Sequence, residues 1–449
     1  MDLVSKYNVA APRYTSYPTV PAWNSTPSEN QWKELVRERF TKTNSKNGIS
    51  LYIHLPFCES LCTYCACNTR ITVNHKVEEP YLEAILKEWH LYYDLFSEKP
   101  RISEIHLGGG TPTFFSPQNL KRLMTGILDT AEVCESYDFS FEGHPNNTTA
   151  EHLQTFYDLG FRRVSFGIQD FDPKVQDVIN RYQSYEKVDE VVKTARKIGY
   201  TSINFDLVYG LPLQKLNTIN DTISKVINLK PDRIAFYSYA HVPWLRPGQR
   251  KYTEMDLPAG TEKRNLYEHG CELFIKAGYT DIGMDHFALK GDPLYHSMQK
   301  KKLHRNFMGY TDHYTELMIS LGVSAISDTW NSFVQNIKVV EHYQQTVAEG
   351  KLPIFKGHIL SEEDQVIRQL ILDIMCKGET EWNEIVAREY IKQGLARCED
   401  LQRDGLVTIL AGKLIVTETG KAFLRNVGMC FDNYYWAKSG TKPVFSSTV

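Results

Sequence analysis

The sequence predicts an α/β protein built on a parallel sheet, with a helical arm before it and a mainly helical, winged-helix-like domain after it. Three observations predict this. Short apolar runs rich in β-branched and aromatic residues recur six times between 49 and 242. Longer amphipathic runs separate them, so the chain reads as strand–helix units, the signature of a parallel sheet. From about 360 the pattern changes to helices followed by a small hairpin.

Taken in order, residues 1–45 lack the alternation and read as a helical arm. The strands are expected at 49–57, 102–110, 137–145, 162–171, 202–212 and 233–242. Between them, "EEPYLEAILKEWHLYYDLF" spaces its apolar residues three and four apart. "SPQNLKRLMTGIL" opens with Ser116 and Pro117, a favoured helix start. "TTAEHLQTFYDLG" opens with Thr148 and Glu151 at capping-box spacing and closes on Gly160. Residues 262–288 add a helix and a strand. The expected division is therefore an arm (1–45), a core (46–290), an extension or linker (291–358) and a C-terminal domain (359–449).

Composition narrows the function. The chain has 449 residues, 42% of them hydrophobic and 23% charged, enough for a large soluble core. A net charge of −3 argues against nucleic acid as a partner, and acids balance bases in the winged-helix-like region. The first twenty residues show no basic-then-apolar targeting pattern. No run of 18 apolar residues predicts a membrane span. The nine cysteines are odd in number and five are scattered, so the expected location is a reducing cytoplasm.

The chemistry gathers at strand ends. Strand one runs into Cys58, Cys62, Cys65 and Cys67, strand two into "GGGTPT" and strand three into "EGHP". The last three end in "GIQDF", "DLVYGLP" and "YSYAHVP". Parallel α/β folds bind ligands at the carboxyl ends of their strands, so six such clusters predict one shared site. In the cysteine loop, Cys58-x3-Cys62-x2-Cys65 lacks the distant second pair that structural zinc uses. Buried structural cysteines suit poorly a loop that also carries Glu59, Thr63 and Asn68. An iron–sulfur cluster fits the thiols better.

C-x3-C-x2-C after the first strand resembles the radical S-adenosylmethionine (SAM) enzymes. The resemblance implies a partial (β/α)6 barrel and a [4Fe–4S] cluster on three thiolates, whose fourth iron chelates SAM. A finer likeness rests on an ordered set: "RYTSYP" (13–18), "YIHLPFC", C-x3-C-x2-C-x-C-N, "HLGGGTPT", "GIQDF", "NFDLVYGLP", "GMDHFA", "HRNFMGYT", "GVSAIS" and "MCFD". In these the chain resembles the oxygen-independent coproporphyrinogen III oxidases, from about Arg13 to the C-terminus. That family turns two propionates of coproporphyrinogen III into vinyl groups, giving protoporphyrinogen IX. It consumes two SAM molecules and binds both at once.

The resemblance implies ligands for each cofactor. Cys58, Cys62 and Cys65 would hold the cluster. Tyr52, Gly109, Glu142 and Ile326 would contact the SAM on it. Tyr64, Gly110, Thr111, Gln169, Arg181, Asp206 and Ala240 would contact the second SAM. Bland readings stand beside these: a tight turn for the glycines, barrel packing for Tyr52, a surface ion pair for Arg181, strand-end carboxylates for Glu142 and Asp206.

Cys67 is expected to point away from Cys65 if the chain is extended there. Related haem chaperones carry Phe at this place, so Cys67 with "RYTSYP" favours the oxidases. "EGHP" departs from the family's E-V-D-P or E-V-N-P at Gly143 and His144. Arg13, His286, His304 and Arg305 are candidate contacts for substrate propionates, and the arm is expected to fold across the site. A flavodoxin or ferredoxin is the expected electron donor, and a monomer the expected state. Competing readings are a radical SAM enzyme acting on haem, a haem-trafficking relative and a zinc-binding regulator.

Overall fold

The computed structural model describes residues 3–258, 260–382 and 387–437. They form two compact units. Of the described residues, the larger holds those within 26–279 and 313–357, and the smaller those within 3–25, 280–312 and 358–437.

In the larger unit, six strands occur where the apolar runs predict them: β1 (Ile49–Leu55), β2 (Arg101–Gly109), β3 (Glu132–Gly143), β4 (Arg163–Gln169), β5 (Ser202–Tyr209) and β6 (Arg233–Ser238). Each pairs in parallel with the next. Both faces of such strands are covered, so they read as apolar runs. Ile49, Leu51, Ile53 and Leu55 of β1 are fully buried. On the other flank of β1 lies β7 (Met318–Leu321), also parallel. Two antiparallel strands, β8 (Ile326–Asp328) and β9 (Ser332–Asn336), extend it. In sheet order β9 and β6 do not meet, leaving the sheet open, as a partial barrel requires.

Helices α1 (Glu29–Asn47), α2 (Glu78–Tyr93), α3 (Pro117–Leu128), α4 (Ala150–Asp158), α5 (Tyr185–Ile198), α6 (Leu216–Leu229) and α7 (Thr261–Lys276) belong to this unit. The side chain of Ser116 caps α3, with Pro117 in its first turn, as expected. The capping box of α4 falls one residue later than predicted, on Thr149 and His152. Thr148 is spent elsewhere: its hydroxyl donates to the His144 carbonyl at 2.9 Å. The predicted arm divides, because Trp32, Val36 and Phe40 bury one face of α1, which belongs to the larger unit.

The smaller unit packs Tyr14, Tyr17, Ile371, Ile374, Leu406 and Phe431 in one core. Helices Glu362–Lys377, Ala387–Arg397 and Glu399–Arg403 precede the hairpin Val407–Leu410 and Lys413–Val416, the expected winged-helix-like order. The "RYTSYP" and "MCFD" segments meet here. Tyr14 Oη donates to Asp432 at 3.1 Å, and Arg425 Nε donates to the Pro12 carbonyl at 3.1 Å.

Candidate active site

A cavity of about 590 Å³ opens at the carboxyl ends of the strands. Cys58, Cys62, Tyr64, Cys65, Gly109, Gly110, Thr111, Glu142, Gln169, Arg181 and Asp206 all line it. Cys67, His144 and Tyr237 complete the polar wall. Tyr52, Ala240 and Ile326 stand outside that lining. Ile326 lies on β8, two strands beyond β1, and its carbonyl accepts from Ser320 Oγ at 2.5 Å. The strand-end rule thus brings eleven of the fourteen predicted residues together.

The cysteine loop is held from outside itself. Asn180 Nδ2 donates to the Leu61 carbonyl at 2.8 Å, and Thr63 N donates to the Ile179 carbonyl at 2.9 Å. Gln249, 1% exposed, donates to the carbonyls of Tyr64 (3.4 Å) and Ala240 (3.2 Å) and accepts from Val242 N (2.6 Å). Arg246 donates to the Ala66 carbonyl. Sequence reasoning missed Asn180, Arg246 and Gln249, because side chains that serve only backbone atoms carry no motif.

Within the loop, Cys65 N donates to the Cys62 carbonyl at 3.1 Å, forming a turn. Beyond that turn, Cys67 does not point away from Cys65. The Cys65 and Cys67 thiols hydrogen-bond to each other. That bond lowers the Cys65 thiol's pKa and raises that of Cys67. Cys58 Sγ lies 3.3 Å from Thr111 Oγ1, and burial pushes its thiol up to about 11.

The glycine run is a close-packing device as well as a turn. Gly109 has φ +116°, and a Cβ there would lie 2.8 Å from the His54 ring. A Cβ on Gly110 would lie 2.5 Å from the Pro56 carbonyl oxygen, directly under the cysteine loop. Gly110 N donates to the Leu55 carbonyl and Thr111 N to that of Phe57, stitching the two strand ends together.

His54 links Tyr52 to the loop. Burial lowers its pKa, so the ring is neutral. Nε2–H donates to the Asn68 carbonyl at 2.9 Å, leaving Nδ1 to accept from Tyr52 Oη at 3.0 Å. Tyr52 also stacks on His106, with ring centroids 6.1 Å apart. Its contacts are those of a wall beneath the cavity.

Two carboxylates face the cavity with different proton affinities. Burial raises the pKa of Glu142, but donation by His106 at 3.4 Å and by Gly109 N at 3.3 Å outweighs it and holds the carboxyl below the usual range. Asp206 is pushed up to about 6 by burial and by the Glu142 charge. It accepts from Ser165 Oγ and Asn204 Nδ2, each at 2.9 Å. His144, at the departure from the family pattern, lines the cavity as a neutral ring, lowered to about 3 by burial and by Arg181.

Gln169 and Arg181 are aimed by the backbone. The register between β4 and β5 shifts between Gly167 and Gln169, and Gln169 takes φ +65°, a left-handed conformation unusual for a side chain with a Cβ. Arg181 Nη2 donates to the Gly167 carbonyl, and Nη1 lies 3.6 Å from Cys62 Sγ. Its Nε is buried with no partner among the described residues. A bound carboxylate would satisfy that donor.

The donor set fits the expected group. Three thiols border one cavity beside a guanidinium, and the backbone approaches closely at Gly109 and Gly110, where a Cβ would collide. In the smaller unit, Arg13 pairs with Asp285. Burial and Arg368 keep His304 neutral, and His286 meets Tyr310 edge to face. Arg305, 6% exposed, stacks on Tyr310 and has Nε and Nη1 without partners among the described residues.

Comparison with known proteins agrees. The radical SAM superfamily profile matches residues 52–226. Oxygen-independent coproporphyrinogen III oxidase of Helicobacter pylori is 37% identical, covering 99% of this chain and 98% of that one. The enzyme of the same name from Escherichia coli is 34% identical over 98% and 96%. The solved structure of coproporphyrinogen III oxidase from Escherichia coli, a radical SAM enzyme, superposes with a TM-score of 0.89 over 94% of this chain and 97% of that one. With this identity sustained over nearly its whole length, the chain belongs to the oxygen-independent coproporphyrinogen III oxidases of the radical SAM superfamily.

Proposed function

We propose that the protein oxidatively decarboxylates two propionate side chains of coproporphyrinogen III to vinyl groups, yielding protoporphyrinogen IX in haem biosynthesis. The observation that carries this reading is the convergence of Cys58, Cys62 and Cys65 with five further strand ends on one cavity. Two SAM molecules are consumed per product. When bound, a [4Fe–4S] cluster would supply the electron for reductive SAM cleavage, which removes a propionate β-hydrogen; loss of CO2 and of one electron to an external acceptor then leaves the vinyl group.

The residues have distinct tasks. Cys58, Cys62 and Cys65 would hold three irons, and Thr111 would steady the Cys58 sulfur. Cys67 would stay off the metal, with its thiol donating to the Cys65 sulfur. Glu142 remains charged and accepts from the ammonium or ribose of the cluster-bound SAM, with Tyr52, Gly109 and Ile326 framing it. Arg181 offers Nε to the carboxylate of the second SAM, while Asp206, Gln169, Tyr64, Gly110, Thr111 and Ala240 surround it. Arg305 is the candidate cation for a substrate carboxylate, because it is buried and two of its donors, Nε and Nη1, are unspent among the described residues.

A low-potential carrier of the flavodoxin or ferredoxin kind supplies the electron, and the protein works as a monomer in the cytoplasm. The described helices include none long and apolar enough to cross a membrane. Anaerobic incubation with SAM, dithionite and coproporphyrinogen III tests the reading. Protoporphyrinogen IX and two CO2 per substrate are expected. SAM cleavage that leaves the porphyrinogen unchanged would refute it, and tight haem binding without SAM cleavage would point to haem trafficking.

A further inference from the structure

We propose that the segment 242–252, on the outside of the cysteine loop, is the docking surface for an acidic one-electron carrier protein. The inference rests on reading the loop as a cluster site, which needs an external electron for each SAM. It adds where that electron arrives and what the carrier's surface is like.

The segment follows β6 as "VPWLRPGQRKY". Leu245 N and Arg246 N both donate to the Val242 carbonyl at 2.9 Å, a tight turn that leaves Trp244 and Leu245 each 57% exposed. Leu61 of the cysteine loop, 43% exposed, continues this apolar surface. A Cβ built on Gly248 would lie 3.5 Å from Leu61 Cδ2. Adjacent exposed Trp and Leu side chains at the end of a barrel strand contribute nothing to a core, and such patches mark interaction sites.

Charge selects the partner. Residues 242–253 carry three cations, Arg246, Arg250 and Lys251, and no acid. All three head groups engage backbone carbonyls rather than carboxylates. Arg246 donates to Ala66, Arg250 Nε to Pro243 at 3.1 Å and Lys251 Nζ to Asp177 at 3.1 Å. Exposed cations without counter-charges attract and orient an acidic surface. An apolar centre with a basic rim suits the small, transient interfaces of electron-transfer pairs.

The surface is also coupled to the loop. Arg246 holds the Ala66 carbonyl, between Cys65 and Cys67, and buried Gln249 ties the same segment to Tyr64. A carrier seated on Trp244 and Leu245 therefore rests on the residues that support the thiols.

The test titrates oxidised flavodoxin onto the reconstituted full chain and measures SAM cleavage driven by reduced flavodoxin or by dithionite, which needs no docking. R250E/K251E should weaken flavodoxin binding about ten-fold or more at low salt and flatten its salt dependence. Flavodoxin-driven cleavage should fall while dithionite-driven cleavage stays at the wild-type rate. Trp244→Ala should weaken binding without changing the salt slope, and R250Q/K251Q should give an intermediate loss. Wild-type flavodoxin binding in the charge-reversed protein and in Trp244→Ala would overturn the surface alone. Failure of dithionite to drive SAM cleavage in the wild type would instead overturn the cluster reading, and the surface with it.

Discussion

Arg181 Nη1 lies 3.6 Å from Cys62 Sγ, so one guanidinium spans the end of β4 and the cysteine loop. Replacing it with Met should leave the fold intact and weaken SAM binding about ten-fold or more, the loss of one charge-assisted pair. Arg181→Lys should not restore affinity, because a point charge cannot reach Gly167 and a carboxylate together. Equilibrium SAM binding to the reconstituted protein is the measurement.

Cys62 and Cys67 should respond differently to the same change. Cys62→Ser should lose iron, sulfide, the brown chromophore and all SAM cleavage. Cys67→Ser should keep iron and sulfide near the wild-type ratio, since Cys67 lies outside the C-x3-C-x2-C set that would hold the cluster. Metal and sulfide analysis after anaerobic reconstitution decides it. Equal loss in both variants would make Cys67 a ligand.

Gln249→Ala should destabilise the protein by about 2–3 kcal/mol, because Val242 N and the carbonyls of Tyr64 and Ala240 lose their partner in a buried place. Gln249→Glu should restore only the bond from Val242 N. Denaturant midpoints of the three proteins, compared with the iron each retains on dilution, read the clamp directly.

Glu88 sets a pH dependence of stability. It is fully buried on α2 and accepts from Gly322 N, Asn336 Nδ2 and Tyr343 Oη at 2.8, 2.7 and 2.6 Å. Burial raises its carboxyl from 4.5 to about 7, against those three bonds. A raised carboxyl stabilises the fold fully below the unfolded value, and that contribution is lost as pH climbs through about 7. Melting temperature should therefore fall between pH 5 and 8, and Glu88→Gln should flatten the slope. Glu88→Ala should cost about 3 kcal/mol by leaving three buried donors unpaired.

Much of this was legible in the sequence, for physical reasons. Strands buried on both faces must be apolar runs, so β1–β6 announce themselves. β7–β9 are short, and nothing in their local pattern states that β7 pairs with β1. The thiols, glycines and carboxylates were found because their chemistry needs those residue types. Gln249 and Asn180 were not, since amides that bind carbonyls look like any surface amide. The thiol of Cys67 was misplaced because an extended chain was assumed, whereas it hydrogen-bonds back to Cys65. Thr148 lost the cap of α4 to Thr149 because His152 can reach back as Glu151 was expected to.

The carbonyls of Leu61, Tyr64 and Ala66 are each claimed by a side chain from elsewhere in the larger unit: Asn180, Gln249 and Arg246. The frame around the thiols is thus set by side chains that lie outside the motif. Loosening any one of these three supports would re-aim the sulfurs without altering a single cysteine.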